Sequence, residues 1–330
     1  MPTYSNPTGI LRPLNTRNDL LAVAELIELC FGRQMDADGW KYLQSIRRAA
    51  DDRSQIRWVL GAGERLAYPL HGYVWEENKK IIGNLSMIPF YKKGEWRYLI
   101  ANVAVHPDYR CQGIGRQLTL KALEHIRSLE VATAWLQVRA DNPTAIHLYK
   151  QLGFFERAVR TTWQRDSLLP PQSPLFPGLR ITQRSSMDWD LHRRWLHQTY
   201  PPEVIWNLPM DVEKYAPTLW QKFLQLVNAE DFRHYAVRGG GKLLGVVTWQ
   251  PSNLHADYLW LAVDPHHQDE AISTLLPHLR AHLRNYRPLS INYPAHQAVD
   301  AFQRAGFKEL NTLIWMEHQP QKSFQPATWA

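Results

Sequence analysis

A short turn in the first half of the chain has the residue types of a phosphate-binding site. Gly113 and Gly115 follow an apolar stretch and directly precede residues that repeat at helical spacing. Glycines at a helix start leave the first backbone N–H groups accessible, and these groups and the positive end of the helix dipole bind anions. Arg110 and Arg116 flank the turn and could add charge-assisted hydrogen bonds to a pyrophosphate. The pattern predicts a site for a phosphate-bearing ligand.

Two common nucleotide-binding signatures do not fit this turn. The lysine of the P-loop is absent, and Leu118 replaces the third glycine of the dinucleotide-binding fingerprint. The sequence therefore disfavours both a nucleoside triphosphatase and a Rossmann-type dehydrogenase.

Three motifs in register resemble the GNAT superfamily of acyl-CoA-dependent N-acetyltransferases. The phosphate-loop pattern of that family is Gln or Arg, two residues, Gly, one residue, and Gly or Ala. It stands here as Arg110-Cys-Gln-Gly113-Ile-Gly115, directly after a Val-x-Pro-x-Tyr-Arg motif. The third motif is Asn142-Pro-x-Ala-x-x-Leu-Tyr149-x-x-x-Gly153-Phe154. The resemblance covers about residues 9–165 and implies acetyl-CoA as the cofactor.

The resemblance also implies roles for individual residues. The pyrophosphate would lie on the turn, whose cofactor-binding residues are Arg110, Gln112, Gly113, Ile114, Gly115 and Arg116, and the pantetheine arm would follow the strand edge of Val103, Ala104 and Val105. Asn142 would contact the pantetheine arm, or act only as a helix N-cap. Tyr149 would protonate the departing thiolate, or be only a core aromatic.

Elementary chemistry agrees with these roles. A phenol with a pKa of ~10 can stabilise or protonate a thiolate whose thiol has a pKa of ~8.5, provided the two lie within hydrogen-bond reach. Backbone N–H groups from Val103 to Val105 could polarise the thioester carbonyl as an oxyanion hole.

The general base for the acceptor amine stays open. Many GNAT enzymes carry a glutamate on the strand before the loop, but 98–103 has no carboxylate and Glu95 lies outside it. Keeping a lysine-like amine neutral at pH 7 costs about 4.6 kcal/mol, against about 1 kcal/mol for an α-amine. The alternatives are a base reached through water, an acceptor of low pKa, or a base such as Glu76, Glu77 or His71.

Other reactive or aromatic residues have weaker patterns. The pairs His266-His267 and His278/His282 lack a third ligand at zinc spacing, so we expect solvated histidines and no metal. Cys111 is expected to be an ordinary loop residue. An acceptor cleft is predicted to draw on about half of six aromatics, the rest being core: Trp40, Tyr42, Tyr73, Trp75, Phe90 and Tyr91.

The elements around these motifs predict an α/β domain. Apolar spacing predicts a helix over 19–31 with Asn18 or Asp19 as its cap, and another after the glycine turn. Asn142-Pro143 opens a third helix that Gly153 closes. The predicted strands are 72–75, 81–88, 96–105 and 134–138.

The second half of the chain repeats parts of the first. Lys80-Ile-Ile-Gly83, Ala104-Val-His-Pro107 and Leu152-Gly-Phe-Phe-Glu156 recur in order as Lys242-Leu-Leu-Gly245, Ala262-Val-Asp-Pro265 and Ala305-Gly-Phe-Lys-Glu309. These matches predict a duplicated domain. The copy has lost the chemistry, however: its counterparts to Gln112, Gly113, Gly115, Asn142 and Tyr149 are Glu270, Ala271, Ser273, Ala295 and Phe302.

The predicted fold class is α/β, with two tandem GNAT-like domains that each have a mixed, mainly antiparallel sheet flanked by helices. The predicted domains are a catalytic, acetyl-CoA-binding one at 9–165 and a degenerate one at 179–318. A proline-rich linker at 166–178 joins them, and 319–330 is a tail.

Composition narrows the class of protein. The 330 residues are 45% hydrophobic and 21% charged, with no apolar run long enough for a membrane span and no secretory signal order. Two cysteines make no disulfide framework, so a cytoplasmic location is expected. The net charge of +7 is scattered, which argues against nucleic-acid binding.

The sequence as a whole predicts an N-acetyltransferase. The acetyl group of acetyl-CoA would pass directly, in a sequential mechanism, to an amine of a small molecule or peptide, in a monomer or homodimer. The alternative is an acyl-CoA-binding sensor without turnover, which the missing strand carboxylate keeps open.

Overall fold

The computed structural model of the chain describes residues 9–51, 71–92, 94–131, 133–165, 176–228, 230–283 and 287–319. Packing divides the chain into two compact units. The first is Met1–Arg157 with Trp315–Ala330, and the second is Ala158–Ile314. Most of the predicted linker, 166–175, and most of the predicted tail, 320–330, lie outside the described residues.

The first unit is a sheet with helices. Its helices are α1 (Leu20–Phe31), α2 (Ala37–Asp51), α3 (Ile114–Ser128) and α4 (Pro143–Gln151). Its strands are β1 (Ile10–Pro13), β2 (His71–Glu77), β3 (Lys80–Lys92), β4 (Glu95–Val105) and β5 (Thr133–Arg139). They follow one another across the sheet in that order. The pairs β1–β2, β2–β3 and β3–β4 are antiparallel, and β4–β5 is parallel.

The second unit repeats this plan. After β6 (Phe155–Arg165), its strands are β7 (Leu179–Gln183), β8 (Arg233–Gly239), β9 (Lys242–Gln250), β10 (Asp257–Val263) and β11 (Leu289–Pro294). Its helices are α5 (Trp189–Thr199), α6 (Pro202–Ile205), α7 (Leu219–Val227), α8 (Gln268–His282) and α9 (Val299–Arg304). Three antiparallel pairs again lead to one parallel pair, β10–β11. The predicted α/β class with a mixed, mainly antiparallel sheet in each copy is confirmed.

The last strand of each half is divided between the units. From Ala158 onward β6 belongs to the second unit, where 160–165 pairs antiparallel with β11. The final strand, β12 (Lys308–His318), ends in the first unit from Trp315 onward. There the His318 ring packs on Phe154, with ring centroids 5.2 Å apart. The units thus differ from the ranges 9–165 and 179–318 at these strand ends, and those ranges as functional domains stay a prediction.

Apolar stripes on the helices build the core of the first unit. Side chains of α1 and α2 form a buried cluster with the sheet: Leu20, Val23, Ala24, Ile27, Leu43, Ile46, Ala49 and Val74. On α3, Ile114 and Leu118 are buried one turn apart. A Cβ at Gly83 of β3 would lie 2.9 Å from Ile114 Cγ2, so glycine there lets α3 approach the sheet closely.

Asp19 lies at the predicted N-cap position of α1, but its side chain does not cap the helix. Its carboxylate instead accepts hydrogen bonds from Arg12 Nη1 at 2.6 Å and from the Asn15 backbone N–H at 2.7 Å. The Arg12 Nε also donates to Glu76 at 2.7 Å, so the guanidinium ties β1 to β2 and α1. The hydrogen bond to Asp19 is the main cause that raises the pKa of Arg12.

No helix within the described ranges is long and apolar enough to cross a membrane.

Two histidines lie in the second unit beside an arginine, of which His192 is buried and His234 is half-buried. His192 is fully buried, and its Nδ1 lies 3.0 Å from Arg184 Nη1. His234 Nδ1 lies 2.8 Å from Thr248 Oγ1. Burial, with the Arg184 charge, lowers the pKa of His192 well below its usual range and that of His234 to about 3. Both rings are therefore neutral in the fold at pH 7.

Lowering the pH from 7 to 5 is expected to reduce the free energy of unfolding. In the unfolded chain the two histidines take up protons near pH ~6.5, whereas in the fold they stay neutral. Neither histidine reduces the free energy of unfolding above pH ~6.5. Below it, protonation of the unfolded chain reduces that free energy until the pH reaches the folded pKa, which is about 3 for His234. The loss is about 1.4 kcal/mol per pH unit for each histidine.

Urea unfolding of the parent and of His234→Gln at pH 7 and pH 5 measures this term, because other titrating groups cancel in the difference. The variant should lose less stability than the parent between the two pH values. Equal losses would show that His234 is not held neutral.

Candidate functional site

Parallel pairing between β4 and β5 is short and leaves a gap in the sheet of the first unit. Residues 97–100 pair with 133–136, and pairing ends at Ile100 and Leu136. Beyond these residues β4 continues to Val105 and β5 to Arg139. Helix α3 follows β4 and helix α4 follows β5, so two helix N-termini stand beyond the open end of the strands. Backbone N–H groups of both strands and helices are thus available around one gap.

The glycine turn has the backbone that the anion-site prediction requires. Gly113 is the N-cap of α3 in the left-handed region, with a φ of 81°, and Cys111 has a φ of 61°. A Cβ at Gly113 would meet nothing within 4 Å, so the space over this turn is open. The first helical hydrogen bond runs from Gln117 N to Gly113 O at 3.0 Å. The N–H groups ahead of Gln117 have no acceptor within the helix.

Gly115 is the point at which the three motifs meet. A Cβ at this position would lie 3.8 Å from Val105 Cγ2 on β4 and 3.8 Å from Leu148 Cδ2 on α4. The strand edge, the helix start and the Tyr149 helix therefore surround one place. Of the predicted cofactor-binding residues, Ala104 and Ile114 are buried, and the others in the set are half-buried or exposed: Val103, Val105, Arg110, Gln112, Gly113, Gly115, Arg116 and Asn142.

The two flanking arginines differ in their surroundings. Arg110 Nε donates to the Val105 carbonyl at 3.2 Å, so this side chain lies against the end of β4. Cys30 Sγ on α1 donates to the same oxygen at 3.3 Å. Burial raises the pKa of the Cys30 thiol, an effect that its contact with Arg110 opposes. Arg116 is exposed on the first turn of α3. Cys30 is a site residue without a local sequence signal, because its partners are far away along the chain.

Asn142 and Tyr149 lie at opposite ends of α4. Asn142 Oδ1 accepts a hydrogen bond from the Ala145 N–H at 3.1 Å, which makes it the N-cap of the helix. Tyr149 is 7% exposed, and its ring packs edge-on against Phe154 at 5.8 Å. Burial raises the pKa of Tyr149 to about 12. The phenol therefore holds its proton at neutral pH and, within the described part of the chain, its hydroxyl has no hydrogen-bond partner.

A β-bulge interrupts β4 at the start of the gap. Asn102 has a left-handed φ of 51°, and the register of β3 with β4 shifts between Asn84 and Ser86. Asn84 Nδ2 donates to the Asn102 carbonyl at 3.0 Å, while Asn102 Nδ2 donates to Tyr42 OH at 2.8 Å and lies 3.3 Å from Ser86 Oγ. The sequence signal for this bulge is the presence of two asparagines and a serine among apolar strand residues. It lies outside the three GNAT-like motifs.

Glu76, one of the candidate general bases, and Glu95, which lies outside 98–103, are both already paired. Glu76 accepts from Arg12 at 2.7 Å, and Glu95 accepts from Arg97 at 2.5 Å. Glu77 is half-buried with an interaction of its own. His71 is exposed at the start of β2. The strand that lines the gap, 98–103, brings no carboxylate of its own.

The six aromatics divide between core and surface. Tyr73 and Trp75 are core residues, and Tyr73 OH lies 3.0 Å from His125 Nδ1. Trp40 and Tyr91 are exposed. Phe90 is half-buried, and Tyr42 contacts the bulge.

The structure assembles no metal cluster from the predicted histidines. His266 and His267 lie in a short 3-10 turn, and His278 packs on Tyr235 with ring centroids 6.1 Å apart. The side chain of His282 lies outside the described set. Among described residues no three His, Cys, Asp or Glu side chains are placed to hold a metal ion. Cys111 is exposed.

In the second unit the equivalent gap is filled by the chain itself. Pairing of β10 with β11 covers only 257–258 with 289–290. Beyond it, the Leu261 N–H donates to the hydroxyl of Tyr200, which is fully buried, at 3.2 Å. The Arg160 guanidinium lies over the Tyr200 ring at 5.1 Å and donates to Asn292 Oδ1 at 2.8 Å.

The counterparts of the glycine turn and of Tyr149 are also altered. Helix α8 carries Asp269 and Glu270 in its first turn, where negative charge opposes an anion. Phe302 is fully buried and stacks on Trp163 with ring centroids 5.0 Å apart. The second unit keeps the fold but not the groups of the first.

Comparison with known proteins finds similarity to acetyltransferases within the first unit. Residues 31–154 match the Acetyltransferase (GNAT) family. A stretch of 62 residues is 47% identical to the ribosomal protein bS18-alanine N-acetyltransferase of Escherichia coli (strain K12), and covers 19% of this chain and 42% of that protein. A stretch of 63 residues is 38% identical to mycothiol acetyltransferase of Geodermatophilus obscurus, and covers 19% of this chain and 20% of that one. The chain thus spans less than half the length of these curated relatives.

The fold is similar to a solved structure along nearly its whole length. The crystal structure of a GCN5-related N-acetyltransferase from Sphaerobacter thermophilus matches with a TM-score of 0.58 at 16% identity, over 96% of this chain and 97% of that one. At this identity the match shows the fold alone. The GNAT family match therefore covers residues 31–154, and the structural match extends the similarity in fold to nearly the whole chain.

Proposed function

We propose that the first unit transfers the acetyl group of acetyl-CoA to an amine, in the gap between β4 and β5. The observation that carries this proposal is the convergence at Gly115 of an open helix start, an unpaired strand edge and the helix of a protonated, buried Tyr149. A GNAT match over 31–154 supports the reaction class.

The residues of the gap fit the cofactor's shape and charge. Left-handed Gly113 leaves open space above free N–H groups, which suits a pyrophosphate. Arg116 is exposed beside it and can add a charge-assisted bond. The edge of β4 from Val103 to Val105 can bind the pantetheine amides. Bound acetyl-CoA supplies an activated thioester, and every other function falls to the chain.

Direct transfer requires two proton movements, one away from the acceptor nitrogen and one to the departing sulfur. The acceptor nitrogen forms a bond to the acetyl carbon as the carbon–sulfur bond breaks. Tyr149 donates its phenolic proton to the departing sulfur, and its raised pKa keeps the phenol protonated before the reaction. The phenolate then regains a proton from water as the products leave. The acceptor nitrogen releases its proton to water, since Arg12 already pairs with Glu76 and the strand 98–103 carries no carboxylate. No covalent enzyme intermediate is needed.

The acceptor is proposed to be an amine of low pKa in a small molecule or peptide. The strand 98–103 offers no carboxylate to deprotonate an ammonium group. A free α-amine meets this restriction best, at about 1 kcal/mol for its neutral form. The unpaired thiols of Cys30 and Cys111 support a reducing compartment, the cytoplasm.

A sensor that binds acyl-CoA without turnover is the second candidate. It is favoured by one observation, the ion pairs that occupy Glu76 and Glu95 beside a strand without carboxylates. Screening amines, antibiotics, polyamines and peptide N-termini for thiol release separates the two. Turnover with any acceptor supports the enzyme, and binding without turnover supports the sensor.

One coenzyme A should bind per chain. The gap of the second unit is filled by Tyr200 and Arg160, and acidic residues occupy its helix start. Isothermal titration calorimetry of the full chain measures the stoichiometry, and Gly113→Val tells which unit holds the ligand. Two equivalent sites, or one site that persists unchanged in the variant, would contradict an inactive second unit.

Gly113→Val should weaken coenzyme A binding by ten- to hundredfold or more. A side chain over the turn blocks the pyrophosphate, and each lost charge-assisted hydrogen bond is worth about 1.5–3 kcal/mol. The control is Gly94→Val, since Gly94 also has a left-handed φ, of 84°, and open space around its Cβ. Both variants place valine at a similar left-handed φ. Equal affinities for coenzyme A in calorimetry would therefore show that the turn does not contact the cofactor.

Tyr149→Phe should lower kcat by about 10²–10⁴-fold, because it removes the proton donor to the sulfur. Coenzyme A affinity and stability should change little, since the ring is retained. Tyr73→Phe is the matched control, because Tyr73 is also 7% exposed but bonds His125 instead. Steady-state kinetics with the best acceptor measures this effect. A full kcat in Tyr149→Phe would refute the role of Tyr149 as proton donor.

A further inference from the structure

The polar groups around the β4 bulge form a network in an otherwise apolar part of the sheet. This bulge network consists of Asn84, Ser86, Asn102 and Tyr42, joined by the hydrogen bonds described above. Asn84 and Ser86 are fully buried. The Oδ1 atom of Asn84 is buried with no partner among the described residues. An unsatisfied buried acceptor costs about 1–3 kcal/mol, so stability alone does not account for asparagine at this position.

The network holds a backbone conformation that asparagine tolerates better than most residues. Asn102 adopts a φ of 51°, in the left-handed region. Its carbonyl accepts from Asn84 on β3, and its side chain donates to Tyr42 on α2. The carbonyl and the side chain of Asn102 are thus both fixed by hydrogen bonds to neighbouring elements. The bulge is therefore a well-defined feature of the strand and not a local irregularity.

The second unit offers an internal comparison in which the network is missing. Gly83 and Gly245 occupy matching places, each facing a valine on the next strand, Val105 and Val263. The residue after Gly245 is Val246, where the first unit has Asn84. The register of β9 with β10 runs without a shift from Tyr258 to Val263, so this strand has no bulge.

The loss of the bulge accompanies the loss of every other group of the site. The second unit lacks the glycine turn, has Phe302 in place of Tyr149 and closes its gap with Tyr200. The bulge network and these groups thus occur together in the first unit and are missing together from the described part of the second. The comparison links the bulge to the chemistry of the gap.

The same comparison indicates which backbone group the bulge controls. In the second unit the Leu261 N–H points into the gap and binds the Tyr200 hydroxyl at 3.2 Å. Leu261 precedes Ala262-Val-Asp-Pro265, as Val103 precedes Ala104-Val-His-Pro107. Val103 directly follows Asn102, so the left-handed turn at Asn102 sets the direction of the Val103 N–H.

We propose that Asn84 and Asn102 are positioning residues that aim the Val103 N–H at the carbonyl oxygen of the bound thioester. The inference rests on the proposed function, since it needs acetyl-CoA in the gap of the first unit. Asn84 and Asn102 act through the backbone and do not touch the reacting atoms. The Val103 N–H stabilises the negative charge that develops on the carbonyl oxygen as the amine attacks.

A measurement without any acceptor tests the aim of this N–H. Isotope-edited infrared spectroscopy of [1-¹³C]acetyl-CoA on the full chain reports the polarisation of the carbonyl, which lowers its stretching frequency on binding. In Asn84→Ala the band should return towards its frequency in solution, while the affinity for coenzyme A without an acetyl group changes less than about twofold. A band that stays at the parent frequency in the variant would overturn the inference.

Val246→Ala is the matched control, because Val246 is equally buried and lies at the same place in the second unit. It should leave the carbonyl band unchanged. If both variants shift the band alike, general loosening of the fold is the cause and the positioning role is refuted. If the parent protein binds no acetyl-CoA, the proposed function itself fails, which is a separate outcome.

Two substitutions of Asn102 separate the backbone from the side chain. Glycine accepts a φ of 51° without strain, whereas alanine does not. We expect Asn102→Gly to keep more of the band shift and more of kcat than Asn102→Ala. With an acceptor in hand, Asn84→Ala should lower kcat at least about tenfold, part of the 10²–10³ that one oxyanion donor contributes. Equal kcat in the two Asn102 variants would contradict control by the bulge.

Discussion

Backbone N–H groups inside a sheet need partners, and the separation of β4 from β5 after Ile100 leaves some without a strand beside them. The two units meet this requirement in different ways. In the second, the Tyr200 hydroxyl takes the place of a partner for Leu261. In the first, the gap ends at an open glycine turn, and a ligand with carbonyl and amide groups can satisfy the strand. The proposed binding site is therefore a part of the sheet whose backbone hydrogen bonds a ligand would complete.

The proton donor and the bulge are neutral groups, although Arg110 lies at the end of β4. Tyr149 is held protonated by burial, the bulge is held by amides, and the carboxylates Glu76 and Glu95 are paired with arginines. Such a site can stabilise charge on oxygen and sulfur with fixed dipoles and a proton donor. It offers little to an ammonium ion, which agrees with an acceptor that is already a free amine near neutral pH.

The parts of the site that the sequence could predict are those encoded locally. The Gly113–Gly115 turn, the helix of Tyr149 and the N-cap Asn142 each follow from residue types a few positions apart. Long-range contacts have no such pattern: Cys30 on α1 donates to the Val105 carbonyl, and Tyr200 fills a gap formed by strands far along the chain. Asp19 shows the limit even for local rules, since a nearby arginine took the carboxylate expected to cap α1.

The division of β12 between the units has a consequence for how the chain is made. The strand end from Trp315 to His318 belongs to the unit that carries the glycine turn, where His318 packs on Phe154 and Glu317 pairs with Arg157 at 3.3 Å. During synthesis, the unit with the proposed site therefore lacks its last strand until the other unit has been translated. Nascent chains cut off before Trp315 would leave that sheet incomplete, so acetyl transfer would be confined to chains that have been translated beyond this strand.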